Sequence, residues 1–185
     1  MFIIKDNYYL YIENTKILNL ESLKKNKKIS IIYRNNIQEN YIEISKFRKK
    51  CRNKRFKFYV ANDFELAKSC RADGLYLSSY NKRIYLNQNL DVIGSAHSYR
   101  EIKEKIKQGC KIVILSRLFK TSYENKKNYL GITKFNLMKK NFMIDLSPLG
   151  GINSRNLLKL NLVTSKGLCL LSEIKKKPAI TSRLF

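Results

Sequence analysis

The 185-residue sequence has few acidic residues, few glycines and prolines, one histidine and no tryptophan. Asp and Glu number 14 against 38 Lys and Arg, which leaves a formal net charge of +24. Such an excess usually indicates a polyanion partner. The lysines are spread along the chain, however, and scarce Gly (7) and Pro (2) beside abundant Lys, Asn, Ile and Tyr are typical of an AT-rich coding sequence. We therefore favour compositional drift over a selected nucleic-acid surface, although the same field would favour a small phosphorylated substrate.

Further absences exclude other classes of protein. No apolar run approaches the roughly 20 residues of a membrane-spanning helix. The N-terminus meets charge at Lys5 and Asp6, which argues against a secretory signal. The four cysteines contain no C-x-x-C pair, so we predict buried free thiols rather than a zinc site or a disulfide scaffold. With no repeat, low-complexity tail or linker, we expect a single domain over residues 1–185, located in the cytoplasm.

Short apolar runs rich in β-branched residues recur along the chain. They occupy residues 8–13, 29–34, 56–61, 74–78, 91–95, 111–116, 142–147 and 167–172. Each is nearly continuously hydrophobic rather than alternating, which is typical of parallel strands covered on both faces. These eight runs are predicted to be strands.

Helical spacing is readable between several of the runs. In residues 98–109, Tyr99, Ile102 and Ile106 share one face, and Gly109 stands where a C-terminal cap belongs. Residues 63–70 and 153–160 also predict helices, the first capped by Asp63, whereas residues 79–90 predict a loop. Alternating strands and helices indicate an α/β protein with a parallel sheet, either a barrel or an open doubly wound sheet. A (β/α)₈ barrel of TIM type would be compact at this length, since about 200 residues are usual.

Barrels of this type carry their chemistry at the carboxyl ends of the strands. The polar residues predicted there are Arg34 to Asn36, Asn62 and Asp63, Ser78, Ser95, His97, Arg117 to Thr121, Gly150 and Gly151, and Ser172. The two glycines follow the seventh run, where backbone N–H groups can approach a phosphate with help from a helix dipole. Ser172 closes the eighth run and supplies a hydroxyl to the same predicted phosphate site.

Five motifs in order resemble those of thiamine-phosphate synthases and the related TenI proteins. They are Asn62-Asp63 with Leu66-Ala67, Ala72-Asp73-Gly74 with Leu77, Ser95-Ala96-His97-Ser98, Phe119-Lys120-Thr121, and Leu149 to Ile152 with Leu171-Ser172. The resemblance runs from about residue 29 to residue 174 and implies a compact TIM-type (β/α)₈ barrel. It also implies a transferase that joins hydroxymethylpyrimidine diphosphate to thiazole phosphate and releases pyrophosphate.

The resemblance assigns roles residue by residue. It implies that Arg34, Ser95 and Thr121 contact the departing pyrophosphate. Asp63 would ligate Mg²⁺, which stabilises the leaving charge, with Asn62 beside it as a phosphate-binding side chain. Gly150, Gly151 and Ser172 would hold the thiazole phosphate.

Three positions depart from the family pattern. Asn36 replaces a lysine, Glu124 replaces another, and residues 78–83 contain no acid where a second metal-binding aspartate is expected, with Asn81 the nearest equivalent. A hard cation prefers carboxylate oxygens, so the Mg²⁺ site is predicted to be weakened.

Two alternatives to the synthase stay open. A TenI-type thiazole tautomerase, with His97 as acid and base, or a degenerate phosphate-binding barrel would tolerate the departures. A basic nucleic-acid-binding protein is the other class, but no zinc finger, basic zipper or RNP motif supports it, so we expect phosphorylated small molecules as partners and neither nucleic acid nor membrane. The basic segment 175–185 could cap the barrel or reach a partner.

Overall fold

Eight parallel strands form the framework of the molecule in a computed structural model that describes residues 5–34, 38–85, 90–121 and 128–170. In chain order the strands β1 to β8 are Asn7–Ile12, Ile29–Tyr33, Lys57–Ala61, Gly74–Leu77, Asp91–Ala96, Ile112–Ser116, Asp145–Leu149 and Gly167–Leu170. They pair in the order β7-β6-β5-β4-β3-β2-β1-β8. All but one of the predicted runs match their strands closely, and the seventh strand begins three residues later than its prediction.

The two outer strands of this order, β7 and β8, pack against each other and nearly close the ring. A Cβ atom added to Gly167 of β8 would lie 2.4 Å from Oγ of Ser147 on β7, so the absence of a side chain lets the two edges approach. β1 in turn pairs with β2 on one side and with β8 on the other. The predicted (β/α)₈ barrel is therefore confirmed, and the open-sheet alternative is excluded.

Helices cover the outside of the barrel. They are α1 at Tyr41–Asn53, α2 at Phe64–Ser69, α3 at Tyr99–Lys107 and α4 at Gly131–Lys140, with a 3₁₀ helix at Leu157–Leu162. Asn40, Asp63 and Ser98 cap the first three through side-chain oxygens that accept backbone N–H bonds. The helix predicted over residues 153–160 is wrong, because a turn follows the glycines and the 3₁₀ helix starts only at Leu157.

The core has two parts, one between sheet and helices and one inside the barrel. The interior part is rich in tyrosine: it contains Tyr9, Tyr11, Ile32, Tyr59, Tyr76, Ile93, Ile114 and Cys169. A Cβ atom on Gly74 would lie 2.5 Å from the Tyr59 ring, so this glycine makes room for the aromatic filling. Close packing of the interior leaves the two ends of the barrel as the places where a ligand can bind.

The four cysteines are free and buried, as predicted. Burial raises the pKa of Cys51 and Cys110 to about 12 and also raises the pKa of Cys169 well above its usual value. These thiols are therefore protonated and unreactive in the folded protein. No helix within the described ranges has the length and apolar character needed to cross a bilayer.

Candidate active site at the carboxyl rim of the barrel

Because all eight strands are parallel, their carboxyl ends form one rim. Of the predicted site residues, Arg34, Asn62, Asp63, Ser95, His97, Thr121, Gly150 and Gly151 lie at or just beyond these ends. We call this set, together with Ser78 and Ser116, the carboxyl rim. Three residues singled out from the sequence, Asn36, Glu124 and Ser172, lie outside the described part of the chain, as does segment 175–185.

Arg34 follows β2 and brings positive charge to the barrel interior. Its backbone N–H donates to the carbonyl of Ile12 at 2.9 Å, and its side chain is half-buried. Burial raises the pKa of Tyr11 and Tyr76, and the Arg34 guanidinium opposes that rise, which places its charge near both phenols. Ser95 on β5 is buried and faces the Tyr76 hydroxyl. The top of the interior is thus polar and electropositive, as an anionic ligand requires.

Asn62 ties the end of β3 to the loop after β4. Its φ of 58° lies in the left-handed region that asparagine tolerates. Its amide nitrogen donates to Oγ of Ser78 at 2.7 Å and to the Tyr80 hydroxyl at 3.0 Å. Its Oδ1 accepts from the Ser78 N–H at 2.9 Å and from Nδ2 of Asn81 at 3.1 Å. A phosphate oxygen could accept from the Asn62 amide nitrogen only by displacing the Ser78 or the Tyr80 hydroxyl, so the side chain acts first as a clamp on the loop.

Asp63 lies next to this clamp and is exposed. Its Oδ1 accepts the Leu66 N–H at 2.9 Å and caps α2, an interaction that leaves the other carboxylate oxygen at the surface. The carboxylate lines a cleft of about 640 Å³ together with Glu65, Arg83 and Tyr85. The cleft thus combines acidic and basic side chains at one edge of the carboxyl rim.

The donor set at this edge does not fit a metal site built by the protein. Among the described residues no group of three or more His, Cys, Asp or Glu side chains could hold a metal ion. Asn81, at the position of the missing acid, has its Oδ1 engaged by the Arg83 N–H at 2.9 Å and its Nδ2 by Asn62. Asp63 therefore supplies one free carboxylate oxygen, whereas Mg²⁺ demands near-octahedral oxygen coordination.

His97 forms a hydrogen-bonded pair that the sequence did not predict. Its Nδ1 lies 2.8 Å from Oγ of Ser116, which ends β6. Its backbone N–H donates to the Glu101 carboxylate at 2.8 Å, while the Glu101 N–H donates to Oγ of Ser98 at 3.2 Å, so the start of α3 fixes the histidine from behind. Ser116 is 8% exposed. The residues predicted at the end of this strand start one residue later, at Arg117, and pairing across strands is visible only in three dimensions.

Thr121 has a buried hydroxyl with no hydrogen-bond partner among the described residues. Burying an unpaired hydroxyl costs about 1–3 kcal/mol. Such a group at a rim position where the resemblance implies a diphosphate contact is suited to bind a ligand oxygen.

Gly150 and Gly151 follow β7 and bring the loop after this strand into contact with the loop after β6. Both have positive φ, 97° and 71°, and a Cβ atom on Gly151 would lie 2.4 Å from the Phe119 carbonyl oxygen. The Phe119 N–H also donates to the Gly150 carbonyl at 3.0 Å. The glycines are therefore required for close backbone approach, whatever they bind. The 3₁₀ helix that follows begins at Leu157, and its N-cap residue Asn156 donates from Nδ2 to the Gly151 carbonyl at 2.7 Å.

Comparisons with known proteins agree with this arrangement. A family model described as "Thiamine monophosphate synthase" matches residues 3–174. The thiamine-phosphate synthase of Prochlorococcus marinus subsp. pastoris is 30% identical over 124 residues, which cover 64% of this chain and 34% of that protein. That of Dictyoglomus turgidum is 25% identical over 151 residues, or 78% of this chain and 67% of that protein. The chain thus spans about a third of the length of the Prochlorococcus relative.

Solved structures agree on the fold. Thiamine phosphate pyrophosphorylase from Pyrococcus furiosus superposes with a TM-score of 0.74 at 19% identity, covering 97% of this chain and 92% of that one. KGPDC from Streptococcus mutans gives a TM-score of 0.67 at 8% identity, covering 98% and 94%. With the family model matched from residue 3 to residue 174, the chain belongs to the thiamine monophosphate synthase family.

Proposed function

We propose that the chain joins hydroxymethylpyrimidine diphosphate to thiazole phosphate, forming thiamine phosphate and releasing pyrophosphate. The observation that carries this proposal is the carboxyl rim, where a guanidinium, several hydroxyls and a Gly-Gly turn converge at the positions of the family motifs. Both substrates carry phosphate, and the net charge of +24 favours their approach.

The rim residues have complementary roles in this reaction. The C–O bond to the diphosphate breaks first, and the resulting pyrimidine cation is captured by the thiazole nitrogen. Negative charge grows on the departing pyrophosphate, so fixed positive charge and hydrogen-bond donors stabilise the transition state. Arg34 supplies the charge, and the Ser95 and Thr121 hydroxyls supply donors. Gly150 and Gly151, with Ser172, hold the thiazole phosphate.

Asn62 and Asp63 act at the edge of the diphosphate site. Asn62 holds the loop after β4, and exchange of its bond to the exposed Tyr80 hydroxyl would free one N–H for a phosphate oxygen. Asp63 is the carboxylate that a divalent cation accompanying the diphosphate would meet. Since the described residues contribute only this oxygen, the cation is expected to bind weakly unless the diphosphate is present.

A thiazole tautomerase is the second candidate, and the hydrogen bond between Ser116 and His97 favours it. A hydroxyl bound at Nδ1 fixes the orientation of the imidazole ring and can donate or accept a hydrogen bond there, which suits a histidine that transfers protons. This reaction needs neither pyrophosphate release nor a metal.

The deciding experiment supplies both substrates with Mg²⁺ and measures thiamine phosphate. Product above a no-enzyme control supports the synthase, and turnover should fall sharply in Asp63→Asn, which keeps a helix-capping side chain but removes the charge. No product from folded protein would overturn the synthase, and conversion of the thiazole carboxylate phosphate would then identify the tautomerase. The cytoplasmic location and the absence of a nucleic-acid partner stay predictions.

A further inference from the structure

Lys105 of α3 is buried, with 1% of its surface exposed. Lysine is almost never fully buried unless its charge is compensated. Here Nζ donates to the carbonyls of Ser78 at 2.7 Å and of Asn81 at 2.8 Å, and to Oε1 of Gln108 at 2.8 Å. All three ammonium protons are therefore used, and two of them hold the backbone of the loop after β4.

Gln108, one turn further along, completes the same contact. It is 4% exposed, and its amide nitrogen donates to the carbonyls of Asn81 at 2.9 Å and Arg83 at 2.8 Å. A Cβ atom on Gly94 would lie 2.8 Å from the Lys105 chain, so a glycine in β5 makes room for the lysine stem. The backbone carbonyls of the loop thus point inward at an ammonium and an amide.

The loop held in this way forms one wall of the cleft beside Asp63. Residues 78–85 include Arg83 and Tyr85 of the cleft lining, and they carry Asn81 in place of an acid. From the other side Asn62 binds Ser78, Tyr80 and Asn81. The loop is therefore fixed from both sides by groups of the chain itself.

We propose that Lys105 and Gln108 are positioning residues that set the shape of loop 78–85 without a bound cation and thereby place Arg83 at the diphosphate end of the site. The ammonium provides, from inside the protein, the fixed positive charge that organises this loop. The part of this inference that concerns the diphosphate rests on the proposed function, whereas the part that concerns the loop does not.

Hydrogen exchange measures the loop directly. Peptides that span residues 78–85 are followed in the full-length protein, with EDTA and with Mg²⁺, for the wild type, Lys105→Met and Gln108→Ala. Lys107→Met is the matched control, because Lys107 is exposed on the same helix. We expect loop amides in the first two variants to exchange roughly tenfold faster, with the strands unchanged, Mg²⁺ without effect and the control like wild type.

Two results would overturn the loop assignment: unchanged loop exchange in Gln108→Ala, or a wild-type loop protected only with Mg²⁺. Gln108→Ala decides the matter should Lys105→Met fail to fold, since it removes two loop bonds and leaves the lysine stem in place.

Calorimetry with inorganic pyrophosphate tests the connection to the site. The dissociation constant should rise roughly fivefold in both variants and stay unchanged in Lys107→Met, an effect that lost stability alone would not produce below the unfolding temperature. Equal affinity in wild type and variants would refute the positioning of Arg83. A wild type that binds no pyrophosphate would count against the proposed function, while the exchange data still decide the role of Lys105.

Discussion

Individual side chains at the carboxyl rim differ in whether their hydrogen bonds are already made in the free protein. The Asn62 amide is fully bonded, whereas the Thr121 hydroxyl is buried without a partner among the described residues. A saturated group stabilises the fold, while an unpaired group gains most when a ligand arrives. A rim residue whose hydrogen bonds are already made is therefore expected to position its neighbours, whereas a residue with an unpaired group is expected to bind the ligand.

Thr121→Val tests that distinction. Valine keeps the shape and removes only the unpaired hydroxyl, so the free energy of unfolding should stay within about 0.5 kcal/mol of wild type or increase. The KM for the diphosphate substrate should rise roughly tenfold, because about one hydrogen bond to a charged group is lost. Denaturant unfolding and steady-state kinetics measure the two quantities.

Thr164→Val is the control for this substitution. The Thr164 hydroxyl donates to Oδ1 of Asn136 at 3.1 Å before the start of β8, at the opposite end of the barrel from the carboxyl rim, so its loss should cost up to about 1 kcal/mol of stability and leave KM unchanged. A loss of stability in Thr121→Val with unchanged KM would show that the Thr121 hydroxyl has a partner within the protein instead.

Ser116→Ala separates the two candidate reactions. If His97 transfers protons, loss of the hydroxyl at Nδ1 frees the ring to rotate, and tautomerase turnover should fall roughly tenfold, as should that of His97→Ala. Synthase turnover should change little in either variant, because the proposed synthase reaction stabilises the departing pyrophosphate through other rim residues. Parallel assays of both reactions provide the measurement, and a synthase that depended on Ser116 as strongly as the tautomerase would contradict these roles.

At the scale of secondary structure, sequence reasoning succeeded where the signal is local. The strand runs are continuous and apolar, and Asp63 caps its helix as expected. No helix was predicted at α1, although Ile44, Phe47 and Cys51 form a buried stripe and their helical spacing is visible in the sequence. α4 offers little signal, since no side chain caps it and Phe135 is its one buried residue.

The parts of the site that were not predicted from the sequence depend on contacts between secondary-structure elements. The bond from His97 to Ser116 joins β5 to β6, and Lys105 reaches the loop after β4 from α3. A lysine in an amphipathic helix is normally assigned to the exposed face, so its residue type alone argues against the observed burial. Position at a strand end was predictable, whereas the partner across the rim was not.

The contact between β7 and β8 gives a prediction for the barrel seam. Gly167→Ala would place a methyl group against Oγ of Ser147 and should destabilise the protein by about 1–3 kcal/mol through overpacking. Ser147→Gly in the same chain removes the obstacle and should restore part of that loss. Thermal unfolding of the single and double variants measures the coupling, and additive effects would show that the two residues do not meet.

At the scale of the whole molecule, 14 acidic residues are present to form ion pairs in a chain with a net charge of +24. Asp91 at the start of β5 binds Lys111 at 2.5 Å and Lys57 at 3.4 Å, so it links β5 to the residue before β6 and to β3 on the far side of β4. Desolvation alone would raise the pKa of Asp91, but the two lysines outweigh it and hold the pKa below its usual 3.8. A lowered folded-state pKa stabilises the protein above the unfolded value and loses that contribution as pH falls.

The stability of the wild type should therefore decline below about pH 4, and Asp91→Asn should decline less steeply. The carboxylate is a third exposed, so screening keeps its contribution modest. Melting temperatures of both proteins between neutral and acid pH provide the comparison. Identical slopes would mean that Asp91 titrates alike in the folded and unfolded chain.

The reactivity of the four buried cysteines can also report local unfolding of the protein. The chain has no tryptophan, so fluorescence from an indole cannot follow unfolding. The thiols lie in different parts of the fold: Cys51 on α1, Cys70 at the end of α2, Cys110 before β6 and Cys169 inside the barrel. A maleimide added to the native protein can label each one only when its own region opens. The order in which the four cysteines become labelled, identified from the masses of their peptides, would record which part of the barrel opens first.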